Sequence, residues 1–236
     1  IKSSELPVFF LEELKEHFVN SVFVLYVWDD IDLDKEELLR LKYFDKTFSY
    51  SLRDSKTYNM KFRPMFFVDY GYKLNEKNID LFYIGSYRHN RFDFIYKVLT
   101  AIGTKNYRVI LRCSPILMFS RAVNLKKITW FSLTGVSYCK MMKIMSKSKI
   151  CVELCRPGQK SLSTRPFEAM ATQCKLITTN TEIVNYDFFH DNNICIVNEE
   201  NPHISKEWLG KPFIPITSEI LNKYSVRAFV SDLLNL

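Results

Sequence analysis

Short apolar runs rich in β-branched and aromatic residues alternate with amphipathic stretches along the chain, and this alternation constrains the fold more than any other feature. Clear examples are SVFVLYVW at residues 21–28, YRVILR at residues 107–112 and KICVEL at residues 149–154. The first of these runs is apolar almost throughout, which is typical of a strand buried on both faces. Because strands that alternate with helices form parallel sheets, we predict an α/β protein with a Rossmann-like parallel sheet and helices on both faces.

A polar, glycine-containing stretch at residues 69–78 divides the chain, and we interpret it as a linker. Residues 1–68 then form a partial α/β domain, and residues 69–236 form a second one. The second domain is predicted to contain strands at 79–84, 107–112, 149–154, 175–179 and 194–197 and helices at 90–102, 138–145, 165–172 and 219–234. The chain begins at Ile1 rather than at a methionine, so we expect either a piece of a larger protein or a chain whose start has been edited, and both alternatives stay open.

Composition limits the classes of function. Hydrophobic residues make up 47% of the chain, enough for a sizeable core. The net charge of +7 suits phosphorylated ligands, anionic membranes and nucleic acids alike, but no nucleic-acid-binding module or basic helix is present, so we predict no nucleic-acid partner.

Six cysteines without a Cys-x-x-Cys pair indicate a reducing compartment. We expect a soluble cytoplasmic protein and leave open a peripheral contact at the inner face of the membrane.

The richest segment chemically is CRPGQKSLSTRPFEAMAT at residues 155–172, between a predicted strand and a predicted helix. Ligands of parallel α/β sheets bind outside the carboxyl ends of the strands, which is where this loop lies. The loop supplies two cations and three hydroxyl groups, from Lys160, Ser161, Ser163, Thr164 and Arg165. Together with the free N–H groups of a helix N-terminus, these side chains form a good diphosphate site.

Two more residues of this segment have candidate roles. We predict Pro166 at the first helical position, where its missing N–H is not needed. We place Glu168 in the first turn, where its carboxylate can accept two hydrogen bonds from ribose hydroxyls. A plainer interpretation stays open, in which the hydroxyls only cap the helix and Glu168 only complements the helix dipole.

Two other strand ends carry candidates. Gly85, Arg88 and Arg91 follow the predicted strand at 79–84, where they either approach a phosphate or form an ordinary turn with solvated arginines. The acids at positions 29, 30, 32 and 34 contain overlapping Asp-x-Asp patterns. A metal site there is the weaker alternative, and we predict none. Asp29 and Asp30 are weak candidates for a catalytic base or a sugar ligand on the acceptor side, against the alternative of a solvated strand end.

The run SLSTRPFEAMATQCKLITTN at residues 161–180 resembles the donor-site signature of GT-B-fold glycosyltransferases. It is more similar still to bacterial glycosyltransferases of capsule, exopolysaccharide and lipopolysaccharide biosynthesis. The matching positions are Gln159, Leu162, Ser163, Arg165, Phe167, Glu168, residues 175–180, Tyr186, Asp187 and Phe188. Looser matches occur at residues 26–29, 43–45, 54, 63–66 and 80–85, so the resemblance covers most of the chain.

This resemblance implies a metal-independent transferase without a cofactor, which moves a sugar from a nucleotide-activated donor to a hydroxyl of a growing cell-surface glycan. Its partners would be a nucleotide sugar and a glycan or lipid-linked glycan acceptor. Residues 1–68 would be the end of the acceptor-side domain, and residues 69–236 the nucleotide-sugar-binding domain. The donor nucleotide would contact Gly85, Arg88, Arg91, Lys160, Ser161, Ser163, Thr164, Arg165 and Glu168.

The sequence departs from the family pattern at three places. Ser161 replaces the usual glycine, and Gln173 and Cys174 replace the glycine after the helix. Lys160 stands where many retaining enzymes have the first glutamate of a pair, which leaves the stereochemistry of transfer open. The alternative function is a non-catalytic nucleotide- or glycan-binding subunit of the same fold.

Overall fold

The computed structural model describes residues 5–33, 35–69, 71, 76–115, 125–156 and 158–234. These residues contain two parallel sheets, one of three strands and one of six. The three-stranded sheet has the order β1-β2-β3, with β1 at Val24–Val27, β2 at Lys46–Ser49 and β3 at Lys61–Phe62. Its accompanying helices are α1 at Val8–His17, α2 at Glu37–Arg40 and α3 at Leu52–Thr57.

The six-stranded sheet begins after the predicted linker. Its strands are β4 at Ile79–Ser86, β5 at Tyr107–Arg112, β6 at Phe131–Ser132, β7 at Ser148–Glu153, β8 at Lys175–Thr178 and β9 at Ile194–Ile196. All neighbours pair in parallel, in the order β6-β5-β4-β7-β8-β9. Counted from β4 as the first strand, this is the 3-2-1-4-5-6 order of the Rossmann fold. The predicted fold class is confirmed.

Helices cover both faces of the large sheet. They are α4 at His89–Ile102, α5 at Tyr138–Met145, α6 at Thr164–Ala171 and α7 at Lys206–Gly210. Successive residues of β4 point to opposite faces, so Leu81 packs in one core with α4 and α7 while Phe82 packs in the other with α5 and α6. Gly103 ends α4 in the left-handed conformation expected of a C-terminal glycine, at φ 74°.

The carboxyl-terminal segment differs from the sequence prediction. Residues 219–234 were expected to form one helix, but the structure has two, α8 at Ser218–Lys223 and α9 at Val226–Leu234. The break occurs because backbone groups at the junction pair with Phe67 instead: Phe67 N donates to Tyr224 O, and Val226 N donates to Phe67 O.

Helix α9 lies against the three-stranded sheet rather than the large one. The Phe229 ring meets Tyr26 at 4.7 Å and Phe66 at 4.2 Å between ring centroids. Arg63 adds an ion pair to Asp232, at 2.7 Å from Nε to Oδ2. The end of the chain therefore packs on its first 68 residues. None of the helices in the described part of the chain has the length and apolar character needed to cross a bilayer.

Candidate functional site

The strand order of the large sheet reverses between β4 and β7, and an α/β sheet leaves a crevice at the carboxyl ends of its strands where this happens. A cleft of about 200 Å³ lies there. Its walls include the ends of β4 and β7, the loop after β7, and the start of α6. Five of the predicted donor-site residues line it, namely Gly85, Arg91, Ser163, Thr164 and Arg165. We call this space the switch-point cleft.

Helix α6 presents its N-terminus to the switch-point cleft. Ser163 is the N-cap residue, and its Oγ accepts a hydrogen bond from Arg165 N at 3.1 Å. The helix begins at Thr164, which puts Pro166 at the third helical position rather than the predicted first. The missing N–H is still harmless, because the first four N–H groups of a helix have no partner within it.

Phe167 fixes the orientation of α6. Its side chain is fully buried and contacts three other rings, with centroid distances of 5.5 Å to Phe188, 6.0 Å to Tyr186 and 5.0 Å to Tyr224. Large aromatic side chains in such clusters contribute strongly to core stability. Tyr186 and Phe188 therefore pack against α6 through Phe167.

Arg165 and Glu168 form an ion pair at the start of α6. Arg165 Nη1 lies 2.7 Å from Glu168 Oε2, and the Glu168 side chain is only 3% exposed. Burial acts to lower the pKa of Arg165, but the charge of Glu168, with Glu153 and Cys151 nearby, raises it overall. Glu168 lies beyond the first turn, contrary to the sequence prediction, and it sits behind Arg165. A ribose contact would require this carboxylate to leave its partner, and that contact stays a prediction.

Glu153 was not singled out from the sequence, yet it is the carboxylate at the floor of the switch-point cleft. Ser163 Oγ donates to its Oε1 at 2.5 Å, and Thr178 Oγ1 donates to its Oε2 at 2.7 Å. Burial raises the pKa of Glu153, and the two hydroxyls and Arg165 only partly offset that effect. An acid directly after the apolar residues 150–152, near the end of the predicted strand, was the available sequence signal.

Gly85 and Tyr83 meet closely in the wall of the switch-point cleft. A Cβ atom at position 85 would lie 2.7 Å from the Tyr83 hydroxyl, so the phenol occupies the space that any larger residue would need. Arg91 Nη1 donates to Ser86 O at 3.0 Å on the same side of the cleft. Arg88, by contrast, is an exposed N-cap residue of α4 and is not among the residues that line the cleft.

Lys160 and Ser161 face a second space, a pocket of about 640 Å³ between the two sheets. We call it the intersheet pocket. The rest of its wall comes from residues after β2, from the end of β3 and the two residues that follow it, and from Glu182, Asn185, Tyr186, Asp187, Lys223, Tyr224 and Asp232. Its charged lining residues are Arg53, Arg63, Lys160, Glu182, Asp187, Lys223 and Asp232. Such mixed polar groups suit a ligand rich in hydroxyls.

The acids after β1 contact the loop that follows β7. Ser161 Oγ donates to Asp30 Oδ1 at 2.9 Å, and Lys160 N donates to Asp30 Oδ2 at 3.3 Å. Asp29 lies 3.4 Å from Arg156 Nη1. Asp30 is therefore engaged by the loop that follows β7, across 131 positions of sequence.

The Asp-x-Asp acids do not gather into a metal site in the described part of the chain. Asp32 pairs with Arg53, and Asp34 lies outside the described residues. No group of three or more His, Cys, Asp or Glu residues that could hold a metal occurs among the residues described. The independence of metal stays a prediction.

Comparison with known proteins gives limited similarity. No protein-family model matches the sequence, and no curated protein matches it either. The crystal structure of the glycotransferase of kitacinnamycin is similar with a TM-score of 0.42 and 10% identity, over 96% of this chain and 64% of that chain. CalG4, the calicheamicin glycosyltransferase, is similar with a TM-score of 0.35 and 12% identity, over 98% of this chain and 61% of that chain. This chain thus spans less than two thirds of either protein.

Proposed function

We propose that this chain carries the donor-binding half of a metal-independent glycosyltransferase, which transfers a sugar from a nucleotide-activated donor to a hydroxyl of a growing cell-surface glycan. The observation that carries this assignment is the convergence of α6, Arg91 and Arg165 on the switch-point cleft. A helix N-terminus and two guanidinium groups form a site for a diphosphate. The motif at residues 159–188, which resembles that of GT-B-fold glycosyltransferases, adds independent support.

The switch-point cleft would hold the charged part of the donor. Its volume of about 200 Å³ is below the roughly 300–1,000 Å³ of pockets that enclose a whole small ligand. We therefore assign the diphosphate to it, with Arg91, Arg165 and the Ser163 and Thr164 groups as its partners. As the sugar leaves, negative charge develops on the diphosphate, and donors fixed in advance stabilise that charge without reorganising.

The acceptor would enter the intersheet pocket, beside Lys160 and Ser161 of the donor loop. Glu168 would act on the donor by holding Arg165; the predicted ribose contact is an alternative role, because it requires this carboxylate to leave Arg165. Asp29 and Asp30 keep their proposed role as candidates on the acceptor side. A peripheral contact with the inner face of the membrane and a lipid-linked acceptor belong to the same proposal.

Calorimetric titration with a nucleoside diphosphate and with the bare nucleoside tests the site. Arg91→Gln should weaken the binding of the diphosphate by about tenfold to a hundredfold, because a hydrogen bond to a charged group contributes roughly 1.5–3 kcal/mol. It should leave nucleoside affinity nearly unchanged. The control Arg108→Gln, which changes an exposed arginine away from the cleft, should leave both the diphosphate affinity and the nucleoside affinity nearly unchanged. Equal diphosphate affinity in wild type and Arg91→Gln would refute the assignment.

Turnover separates the enzyme from the alternative, a non-catalytic binding subunit of the same fold. Release of nucleoside diphosphate from a nucleotide sugar, dependent on an added glycan acceptor, is expected of the transferase. Tight nucleotide binding without release in the full-length protein favours the binding subunit.

A further inference from the structure

A second large pocket lies at the opposite end of the six-stranded sheet, outside the amino ends of β4, β7 and β8. Its volume is about 810 Å³, roughly four times that of the switch-point cleft. Five lysines from five separate segments line it, namely Lys77, Lys105, Lys149, Lys175 and Lys211. We call it the lysine pocket. Nothing in the proposed transfer reaction uses it.

The charges of the lysine pocket are poorly balanced. Asp80 is the one carboxylate among its lining residues, and it is already engaged by Lys149 Nζ at 2.8 Å and by Thr104 Oγ1 at 2.7 Å. Lys211 pairs with Glu207, which lies on α7 and is 80% exposed. Ammonium groups brought together in this way repel one another, and the repulsion falls when an anion lies between them.

Lys175 is the most deeply buried of the five lysines in the pocket, at only 6% exposed. Its ammonium group lies 4.4 Å from the centre of the Trp208 ring and donates to Trp208 O at 2.6 Å. That carbonyl accepts one of the three N–H groups that a lysine carries. Burial lowers the pKa of Lys175, and the charge of Lys211 lowers it further. Burial likewise lowers the pKa of Lys77, whose Nζ donates to Thr172 O at 2.7 Å.

Apolar side chains complete the wall of the lysine pocket. Ile102, Ile150, Leu209 and Phe213 line it beside the lysines. Pockets that hold small ligands combine an apolar wall with a few polar groups, in about this range of volume. Lysine binds phosphate as a point charge, without the fixed geometry that arginine imposes.

We propose that the lysine pocket is a second anion-binding site, which takes a ligand bearing a diphosphate or two phosphate groups on an apolar or aromatic body. The phosphates would lie among Lys105, Lys175 and Lys211, and the body would contact Phe213 and Leu209. The site is separate from the switch-point cleft, because the two lie at opposite ends of the same strands. The shared chemistry admits two sources, a soluble phosphorylated metabolite or the headgroup of an anionic lipid.

Inorganic pyrophosphate is a suitable probe, titrated calorimetrically into wild type and into the double variant Lys105→Gln/Lys211→Gln. Lys105 is exposed and Lys211 is partly exposed, and the Asp80–Lys149 pair is left intact. Affinity at this site should fall by about tenfold or more. Lys140→Gln/Lys143→Gln, which removes two exposed charges of α5, should bind as wild type does. Arg91→Gln should also keep this binding, which separates it from any binding at the switch-point cleft.

The two sources are distinguished with vesicles. Sedimentation with phosphatidic acid vesicles but not with phosphatidylcholine vesicles, lost in Lys105→Gln/Lys211→Gln, identifies a lipid headgroup as the ligand. Pyrophosphate binding without such sedimentation identifies a soluble ligand. Equal pyrophosphate affinity in wild type and Lys105→Gln/Lys211→Gln, or no binding by wild type, overturns the proposal.

Discussion

Arg165 and Glu168 face each other at the start of α6, with 2.7 Å between Nη1 and Oε2 and almost no solvent on the carboxylate. The cation therefore reaches the switch-point cleft with its charge and orientation fixed by a buried partner. Donors held in advance in this way are what stabilisation of a leaving diphosphate requires. Each residue of the pair affects both the stability of the fold and the proposed site.

Glu168→Gln should destabilise the protein by about 3 kcal/mol, because breaking a buried ion pair leaves an uncompensated charge. Denaturant unfolding measures the change. Glu219→Gln serves as control, since Glu219 is an exposed acid in the first turn of α8 and its replacement should change stability by less than about 0.5 kcal/mol. A loss in Glu168→Gln no larger than that of the control would show that the pair contributes little.

Glu153 should make stability depend on pH. Burial raises its pKa in the folded protein, so the folded state holds this proton more tightly than the unfolded chain does. Its contribution is complete below the unfolded pKa of about 4.3 and is lost as the pH rises through the raised value. Glu153→Gln should therefore gain stability relative to wild type between acidic and neutral pH. Denaturant unfolding across that range, with the exposed-residue variant Glu13→Gln beside it, measures the difference, and a constant difference would contradict this expectation.

Gly85→Ala should destabilise the protein by about 1–3 kcal/mol, the usual effect of overpacking, because the new methyl group meets the Tyr83 hydroxyl. Adding Tyr83→Phe to the Gly85→Ala variant should recover part of the lost stability. The substitution removes the hydroxyl, and the next ring atom, Cζ, lies 3.2 Å from the Cβ position of residue 85. Gly135→Ala is the matched control, because no atom lies within 4 Å of a Cβ there. Thermal melts of the four proteins test the pairing, and the absence of any recovery would argue against it.

Asp30→Asn should loosen the loop after β7. The carboxylate accepts from both Ser161 Oγ and Lys160 N, so its loss should speed hydrogen exchange at the Lys160 amide by about tenfold. Asp29→Asn should have a smaller effect, because the Asp29–Arg156 pair is longer, at 3.4 Å, and its arginine is half exposed. Equal exchange rates at the Lys160 amide in the two variants would show that Asp30 does not hold the loop in place.

Nucleoside diphosphate binding should survive chelation by EDTA, because α6 and the two arginines supply the charge that a divalent cation would otherwise provide. Calorimetric titration before and after chelation measures this directly. Binding that disappears with EDTA and also in Asp30→Ala would instead favour the metal site that the Asp-x-Asp pattern suggested.

The sequence alone determined the parts of this protein that depend on local periodicity and local capping. Short apolar runs predicted five of the six strands of the large sheet, and Gly103 ends α4 in the conformation expected of a C-terminal glycine. The sixth strand, β6, has only two residues and was not predicted, because so short a segment shows no periodic pattern. Because parallel strands all end at one edge, the alternation also predicted that Gly85 and Arg165 would come together.

Only the tertiary structure decided which individual side chains of distant segments bond to one another. Nothing local in the sequence pairs Asp30 with Ser161, gives the Glu153 carboxylate its two hydroxyl partners, or gathers five lysines into one pocket. The break between α8 and α9 has the same origin, since an amphipathic pattern continues through a position where Phe67 takes the backbone hydrogen bonds. Such contacts depend on how whole elements pack, and a periodicity of 2 or 3.6 residues records only which face an element buries.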